Sequence, residues 1–195
     1  MFTGIIEAIG TVAATGHRQG NLELWIESPI SSHLKIDQSV SHNGVCLTVV
    51  ELREGMHRVT AIQETLDKTN LGELRKDDIM NLERCMPANG RFDGHIVQGH
   101  VDQTGRCLSV KEEDGSRLFE FQYTPTAQNI IVEKGSICIN GISLTAFDAV
   151  DDRFKVAIIP YTFEHTNVQS VQPGSMVNLE FDIIGKYIAR LLKMG

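Results

Sequence analysis

Residues 43–50 read NGVCLTVV, and 97 positions later residues 140–147 read NGISLTAF. The same offset carries ETLDKTN at 64–70 onto YTFEHTN at 161–167, MNLE at 80–83 onto VNLE at 177–180, and Ser39 onto Ser136. Near the two starts the offset becomes 95, aligning Gly4 and Gly10 with Gly99 and Gly105. Anchors recurring in one order at nearly one spacing mean that the chain is one unit written twice.

Each half of the 195 residues falls just short of 100, enough for one modest core. That period is too long for a solenoid repeat, so the reading is two domains, 1–94 and 95–184, followed by a tail at 185–195. Residues 85–94, with Pro87, Asn89, Gly90 and Gly94, form the linker that closes the first domain. Leu22, Leu24 and Ile26 alternate with polar residues, as do Phe119, Phe121 and Tyr123, which is the period of a strand with one buried face. Asn43-Gly44 and Asn140-Gly141 are hairpin turns, because both residue types tolerate positive φ. Short strands parted by turns predict an all-β fold of small barrels or sandwiches. Brief helices are expected at 31–34 and 126–131, after Pro29 and Pro125, and at 64–70 and 161–167. The tail is the one clear helix: Ile184, Tyr187, Ile188, Leu191 and Leu192 fall on one stripe within 184–194.

A net charge of −7 argues against nucleic acid, whose phosphates favour clustered Lys and Arg. No run approaches the roughly 20 apolar residues of a membrane-spanning helix. MFTGIIEAIG lacks the basic region and cleavage site of a signal peptide, so the expected location is cytoplasmic, with no membrane association. The four cysteines, Cys46, Cys85, Cys107 and Cys138, form no C-x-x-C pair, which argues against zinc and, in a cytoplasmic chain, against disulfides. No P-loop, dinucleotide fingerprint or nucleophile elbow is present, which removes the NTPase, simple dehydrogenase and serine-hydrolase readings.

Two patterns remain as candidate chemistry. In GHIVQGHVD, His95 and His100 are five apart, so on a strand they project to opposite faces and do not form a metal pair. Cys46 and Thr48 share a strand face, as do Ser143 and Thr145 in the copy. Their small thiol and hydroxyl groups suit the hydrogen-bonding edge of a ring, or equally a structural pairing across strands.

Taken together, the opening MFTGIIEAIG, the paired NGVCLTV and NGISLTA, the paired ETLDKTNLG and YTFEHTNV, GHIVQGHVD and the closing VNLEFDIIGKY resemble the riboflavin synthase family of lumazine-binding barrels over essentially the whole length. The resemblance implies two six-stranded Greek-key barrels, each binding one 6,7-dimethyl-8-ribityllumazine, and a homotrimer organised by the C-terminal helix. It implies a transferase that moves a four-carbon unit between two identical lumazines without a cofactor or metal, giving riboflavin and 5-amino-6-(D-ribitylamino)uracil. A reaction that consumes two copies of one molecule is served by two copies of one domain.

By resemblance, Phe2, Gly4, Ile5 and Ile6 lie at a substrate. The first pocket corresponds to Ser39, Cys46, Leu47 and Thr48, with Thr60, Ala61, Ile62, Gln63, Glu64 and Thr65. The remaining matches are Gly99, His100, Val101, Lys134, Ser143, Leu144 and Thr145, with Ile159, Pro160, Tyr161, Thr162, Phe163 and Glu164. Catalytic roles are expected among His100, Cys46, Ser39, Thr145, Phe2 and Asp182, with His100 the best-suited proton shuttle because an imidazole titrates near neutrality. Asn140 stands where many family members carry Asp; it keeps the turn but cannot act as a base. The lumazine C7 methyl is acidic because its carbanion spreads into an electron-poor ring, and hydrogen bonds to that ring stabilise the anion. The alternative implied by the same duplication is a non-catalytic lumazine- or flavin-binding antenna protein.

Overall fold

The computed structural model describes residues 1–193; Met194 and Gly195, where the expected helical tail ends, lie outside the described residues. In the first half β1 (Ala8–Arg18), β2 (Asn21–Glu27), β3 (Ser39–His42), β4 (Val45–Arg53), β5 (Met56–Ala61) and β6 (Ile79–Arg84) close into a barrel in the order β1-β2-β5-β4-β3-β6. All of its pairings are antiparallel, and β1 meets β6 from Ala8↔Leu82 to Thr11↔Ile79 to complete the ring. Closure leaves no free sheet edge.

The second half follows the same circuit with β7 (Gln103–Glu113), β8 (Ser116–Gln122), β9 (Ser136–Ile139), β10 (Ile142–Thr145), β11 (Phe147–Val150), β12 (Arg153–Ile158) and β13 (Met176–Phe181). Its seven-stranded order is β10-β9-β13-β7-β8-β12-β11, so the ring parts between β10 and β11. Those two strands are the halves of the counterpart of β4. Ala146 keeps the backbone bonds that Val49 makes in the first barrel, its N–H donating to Gly135 O (2.9 Å) as that of Val49 donates to Gln38 O (2.9 Å). Two residues on, Asp148 has φ +47°, inside the irregularity at which β11 pairs with β12 at Phe147↔Lys155 and Val150↔Arg153.

Leu22, Leu24 and Ile26 are buried, as their alternation requires, and join Val12, Val40, Val49, Val59, Met80 and Leu82 inside the first barrel. The second core is aromatic: Phe119, Phe121, Phe154 and Phe181 are all buried, with Phe121 and Phe154 stacked at 5.8 Å. Each such side chain contributes roughly 1.5–3 kcal/mol on burial. The first core also holds a polar chain that the second lacks. His42 Nδ1 lies 3.0 Å from Val40 O, His42 Nε2 lies 2.9 Å from His57 Nε2, and His57 Nδ1 lies 2.8 Å from Ser31 Oγ. A carbonyl only accepts, so His42 donates from Nδ1 and accepts at Nε2; His57 then donates from Nε2 and accepts from Ser31. The counterpart positions are Ile139 and Phe154.

The repeated turns meet each other. Asn43 and Gly44 have φ +49° and +82°, and Asn140 and Gly141 have +46° and +83°, the left-handed pair of a two-residue hairpin. A Cβ on Gly44 would lie 2.8 Å from Gly141 N, and one on Gly141 would lie 2.9 Å from Gly44 N. Around this contact Asn81 Nδ2 donates to Asn140 O (2.9 Å) and Asn167 Oδ1 (2.8 Å), while Asn178 Nδ2 donates to Asn43 O (2.8 Å). The N–H of Asn70 donates to Asn178 Oδ1 and that of Asn167 to Asn81 Oδ1, each at 2.7 Å. Asn140 is buried in this interface, its Oδ1 accepting from the N–H of Asn178 at 2.8 Å.

α1 (Gln63–Lys68) and α2 (Pro160–His165) are the expected short helices, one on each barrel. Of the other two expectations, the first is met in 3-10 form and the second needs correction. Residues 31–33 form a single 3-10 turn, and 126–131 form no helix but a bend, where the Thr126 hydroxyl accepts from the N–H groups of Gln128 (3.3 Å) and Asn129 (3.1 Å). α3 spans Ile183–Leu192, with the Asp182 carboxylate accepting from Ile184 N–H at 3.0 Å to cap its start. Only Ala189 of that helix is buried; Tyr187, Leu191 and Leu192 are 67%, 67% and 79% exposed.

Candidate active site

Each repeat opens with a segment that crosses to the other repeat. Phe2 and Val97, which correspond at the offset of 95, pair with each other: Phe2 N–H donates to Val97 O at 2.7 Å, and Val97 N–H to Phe2 O at 3.1 Å. Beyond this bridge Gly4 O accepts from Ser143 N–H, and Gly99 O accepts from Cys46 N–H, both at 2.8 Å. The first segment therefore lies on β10 of the second barrel and the second segment on β4 of the first. Gly4 and Gly99 have φ +79° and +81°, and a Cβ on either would come within 2.6 Å of the Cβ of Ser143 or Cys46. Only glycine fits both demands.

A buried glutamate clamps each segment. Glu83 accepts from the N–H (2.7 Å) and hydroxyl (2.8 Å) of Thr3 and from Gly4 N–H (3.0 Å). Glu180 accepts from the N–H groups of Gln98 (2.6 Å), Gly99 (2.9 Å) and His100 (2.9 Å). Burial pushes both carboxyls above the usual range, and the three donors at each oppose that shift.

The crossing builds a groove of about 240 Å³ on the first barrel, lined by Val45 and Cys46 from β4, Glu64, Thr65 and Lys68 from α1, Thr69, and Gly99, His100 and Val101 from the other repeat. Six predicted site residues thus meet in one place. Lys68 Nζ pairs with Glu64 at 2.9 Å on the rim, and the His100 side chain is exposed to the groove. Burial raises the Cys46 thiol above its ordinary value, outweighing the opposing effect of the Ser39 hydroxyl, so it stays protonated at neutral pH. That makes Cys46 a hydrogen-bonding group here, not a thiolate nucleophile.

At the second barrel Gly4 lies on Ser143 as Gly99 lies on Cys46 at the first. Tyr161 and His165 stack at 4.1 Å where the first barrel has Glu64 and Lys68. Arg117 lies over the Phe163 ring at 3.6 Å, and Lys134 over Phe147 at 4.6 Å. His95 Nδ1 lies 2.6 Å from Ser143 Oγ. Residues 95–100 are not a strand but a single bridge at Val97, so the face argument for the two histidines does not apply: His100 opens into the first groove and His95 meets Ser143 on the second barrel.

Thr48 and Thr145 are exposed on the outward faces of their strands, while Thr60 and Thr162 are half-buried. Ile5, Ile62, Gln63, Ile159, Pro160 and Glu164 are exposed, and Ile6 and Leu144 pack against the second core. Leu47 and Ala61 turn inward into the first core, leaving only their backbone to face outward. Phe2 is fully buried with Val97 and Cys138, a wedge between the repeats. Asp182 caps α3 and acts electrostatically on His95. Glu83, Glu180, Thr69 and Lys68 were missed in the sequence as groove-building residues, although MNLE and VNLE flagged the two glutamates as repeated. Among the described residues, no three His, Cys, Asp or Glu side chains gather into a group able to hold a metal. A larger groove of about 470 Å³, lined by Glu73, Asp77 and Asp78, follows the asparagine interface and includes none of the predicted site residues.

The lumazine binding domain model matches residues 3–85 and again 98–182, and the chain belongs to that family, in its duplicated form. Within it, the chain falls among the riboflavin synthases. It is 43% identical to the riboflavin synthase of Actinobacillus pleuropneumoniae over 98% of this chain and 90% of that one. It is 38% identical to that of Bacillus subtilis with the same coverage, and 39% identical to that of Mycobacterium tuberculosis over 99% of this chain and 98% of that one. The fold matches the crystal structure of LumP complexed with riboflavin (TM-score 0.86, 23% identity, 93% of this chain and 99% of that chain).

Proposed function

We propose that this chain is a transferase that dismutates two molecules of 6,7-dimethyl-8-ribityllumazine into riboflavin and 5-amino-6-(D-ribitylamino)uracil. The observation that carries this reading is the pair of crossed segments, each laid on the other barrel, alike in backbone and unlike in the side chains around them. Two identical ligands can be held alike yet play different parts. Cys46, Thr65 and His100 give the first groove side chains able to hydrogen-bond a delocalised ring anion, and fixing two rings in attack geometry supplies much of the remaining rate.

The exposed apolar face of α3 supports assembly into a homotrimer in which the first groove of one chain faces the second groove of its neighbour. A helix of ten residues is too short to hold itself together in water and needs a packing partner for that face. Four free cysteines suit a reducing, cytoplasmic setting, and no described helix is long and apolar enough to cross a membrane. Mixing the purified protein with the lumazine alone, with and without a chelator, tests the proposal. Riboflavin absorbance should appear equally in both. Tight binding without riboflavin would instead favour the antenna reading.

A further inference from the structure

The groove of about 470 Å³ along the asparagine interface has a floor built from both repeats. Asn43 and Asn140, one from each hairpin turn, line it and are only 1% and 4% exposed. Their orientation is fixed by the bonds behind them. Asn43 Oδ1 accepts from Asn81 N–H (2.8 Å) and Asn167 Nδ2 (2.9 Å), and Asn140 Oδ1 accepts from Asn178 N–H (2.8 Å) and Asn70 Nδ2 (3.4 Å). Each Nδ2 group therefore points away from those partners, and among the described residues neither finds an acceptor. Nor are they sealed in, since the sealed side-chain polar atoms without a partner are Arg58 Nε and Asn70 Oδ1. An amide donor so nearly buried is costly to leave unmatched. The floor calls for two acceptors.

The walls call for donors. On one side Glu73 and Asp77 are exposed, and their carboxylates make no hydrogen bond or ion pair among the described residues. Arg75 does not neutralise them, because its guanidinium turns back to Gly72 O (3.2 Å) and Leu74 O (3.0 Å). On the other side, at the offset of 97, Ser170 and Ser175 stand for Glu73 and Asp78. Ser170 donates to Asn167 O at 2.8 Å and keeps its lone pairs free, while Ser175 Oγ accepts from Gln172 N–H at 3.1 Å and keeps its proton free. No Lys, Arg or His lines the groove, and half-buried Leu74, Ile79, Val171 and Met176 complete it. Carboxylates oppose an anion. Two amide donors at the floor oppose a cation, and the carboxylates there do not gather into a metal-holding group. The group that accepts from an amide while donating to a carboxylate is a hydroxyl.

We propose that this groove binds a neutral polyol, apart from the lumazine grooves. Hydroxyl oxygens accept from Asn43 and Asn140, hydroxyl protons go to Glu73 and Asp77, and the apolar residues cover the C–H face of the chain. The floor is one turn from each repeat, so an occupant braces the junction between the barrels. The same chemistry is offered by a free polyol and by the ribityl chain of a lumazine or flavin. Nothing in this recognition depends on the dismutation.

The test is titration of the isotopically labelled chain with ribitol, following the side-chain amide resonances of Asn43 and Asn140. Both should shift and saturate, and neither putrescine nor inorganic phosphate should move them. The double variant Glu73→Ala with Asp77→Gly removes both carboxylates, and glycine suits the φ of +74° at position 77. Both side chains are exposed and unbonded, so the variant should keep its amide spectrum away from the groove. Its ribitol dissociation constant should rise at least about tenfold, because hydrogen bonds to charged groups are the strong ones. Riboflavin in place of ribitol identifies the source: resonances that it also moves saturably mean that a ribityl chain on a ring is accepted, and resonances moved by ribitol alone mean a free polyol. Either supports the site. Unmoved resonances with both compounds would overturn it, as would shifts that grow without saturating, a response to putrescine but not to ribitol, or a variant that binds ribitol within about threefold of the unmodified chain. Riboflavin formation is a separate readout, so the dismutation reading stands or falls independently.

Discussion

The buried His42–His57 pair makes the first barrel sensitive to acid in a way the second is not. Both imidazoles are fully buried, and burial holds them at about 3 and about 4. In the unfolded chain each titrates near 6.5. Folded values below unfolded ones mean that the unfolded state binds the extra protons, so stability is complete above pH 6.5 and is lost as pH falls toward 4. Between pH 7 and pH 5 each histidine contributes about 1.9 kcal/mol of loss, and the pair about 4 kcal/mol. Replacing them by their second-barrel counterparts, His42→Ile with His57→Phe, should remove that dependence. Urea unfolding at the two pH values measures it, and because each protein is compared with itself, any fixed packing cost of the substitutions cancels. With a slope of about 1–3 kcal/mol per molar, the unmodified protein's midpoint should drop by at least about 1 M more than the variant's. Equal drops in the two proteins would refute the reasoning, since the remaining carboxylates titrate in both.

Gly99→Ala drives a methyl to 2.5 Å from Cys46 Cβ at φ +81°, so lumazine binding should fall from two sites per chain to one in a fluorescence titration. Asn81→Ala strands Asn140 O and the N–H of Asn167, both buried, and should cost about 2–4 kcal/mol in denaturant unfolding. Cys46→Ser replaces one protonated hydrogen-bonding group with another and should lower turnover less than tenfold; a loss above a thousandfold would show a nucleophilic thiolate. Removing residues 185–195 should leave barrels that bind lumazine yet sediment as monomers and scarcely react, whereas a fully active trimer would show that α3 does not organise the assembly.

The barrels were legible in the sequence because their signals are local: Asn-Gly turns with φ > 0 and period-two alternation in Leu22, Leu24 and Ile26. The parting of β10 from β11 was not, because it falls at Ala146, which keeps the same backbone bonds as Val49 and carries no local mark of a break. Nor was the bend at 126–131, where the Thr126 hydroxyl competes with the helix that Pro125 suggested. The largest gap was the crossing of residues 1–5 and 96–101. A sequence shows that Gly4 matches Gly99, but not that each lies on the other repeat. That single long-range fact places His100 beside Cys46 and His95 beside Ser143. Strand periodicity misassigned the histidines because residues 95–100 are held by Glu180 and the Phe2–Val97 bridge, not by a sheet.

The central claim is that two unlike grooves, one on each barrel, serve one reaction between neighbouring chains. Complementation tests it most directly. Gly99→Ala closes the first groove, and Gly4→Ala, whose added Cβ would lie 2.6 Å from Ser143 Cβ, closes the second. Each variant alone should bind one lumazine per chain and form almost no riboflavin. Trimers reassembled from an equal mixture should regain turnover, because the open second groove of one chain then faces the open first groove of another. Half the normal turnover from each variant alone, with nothing gained on mixing, would contradict the account and show that each barrel works by itself.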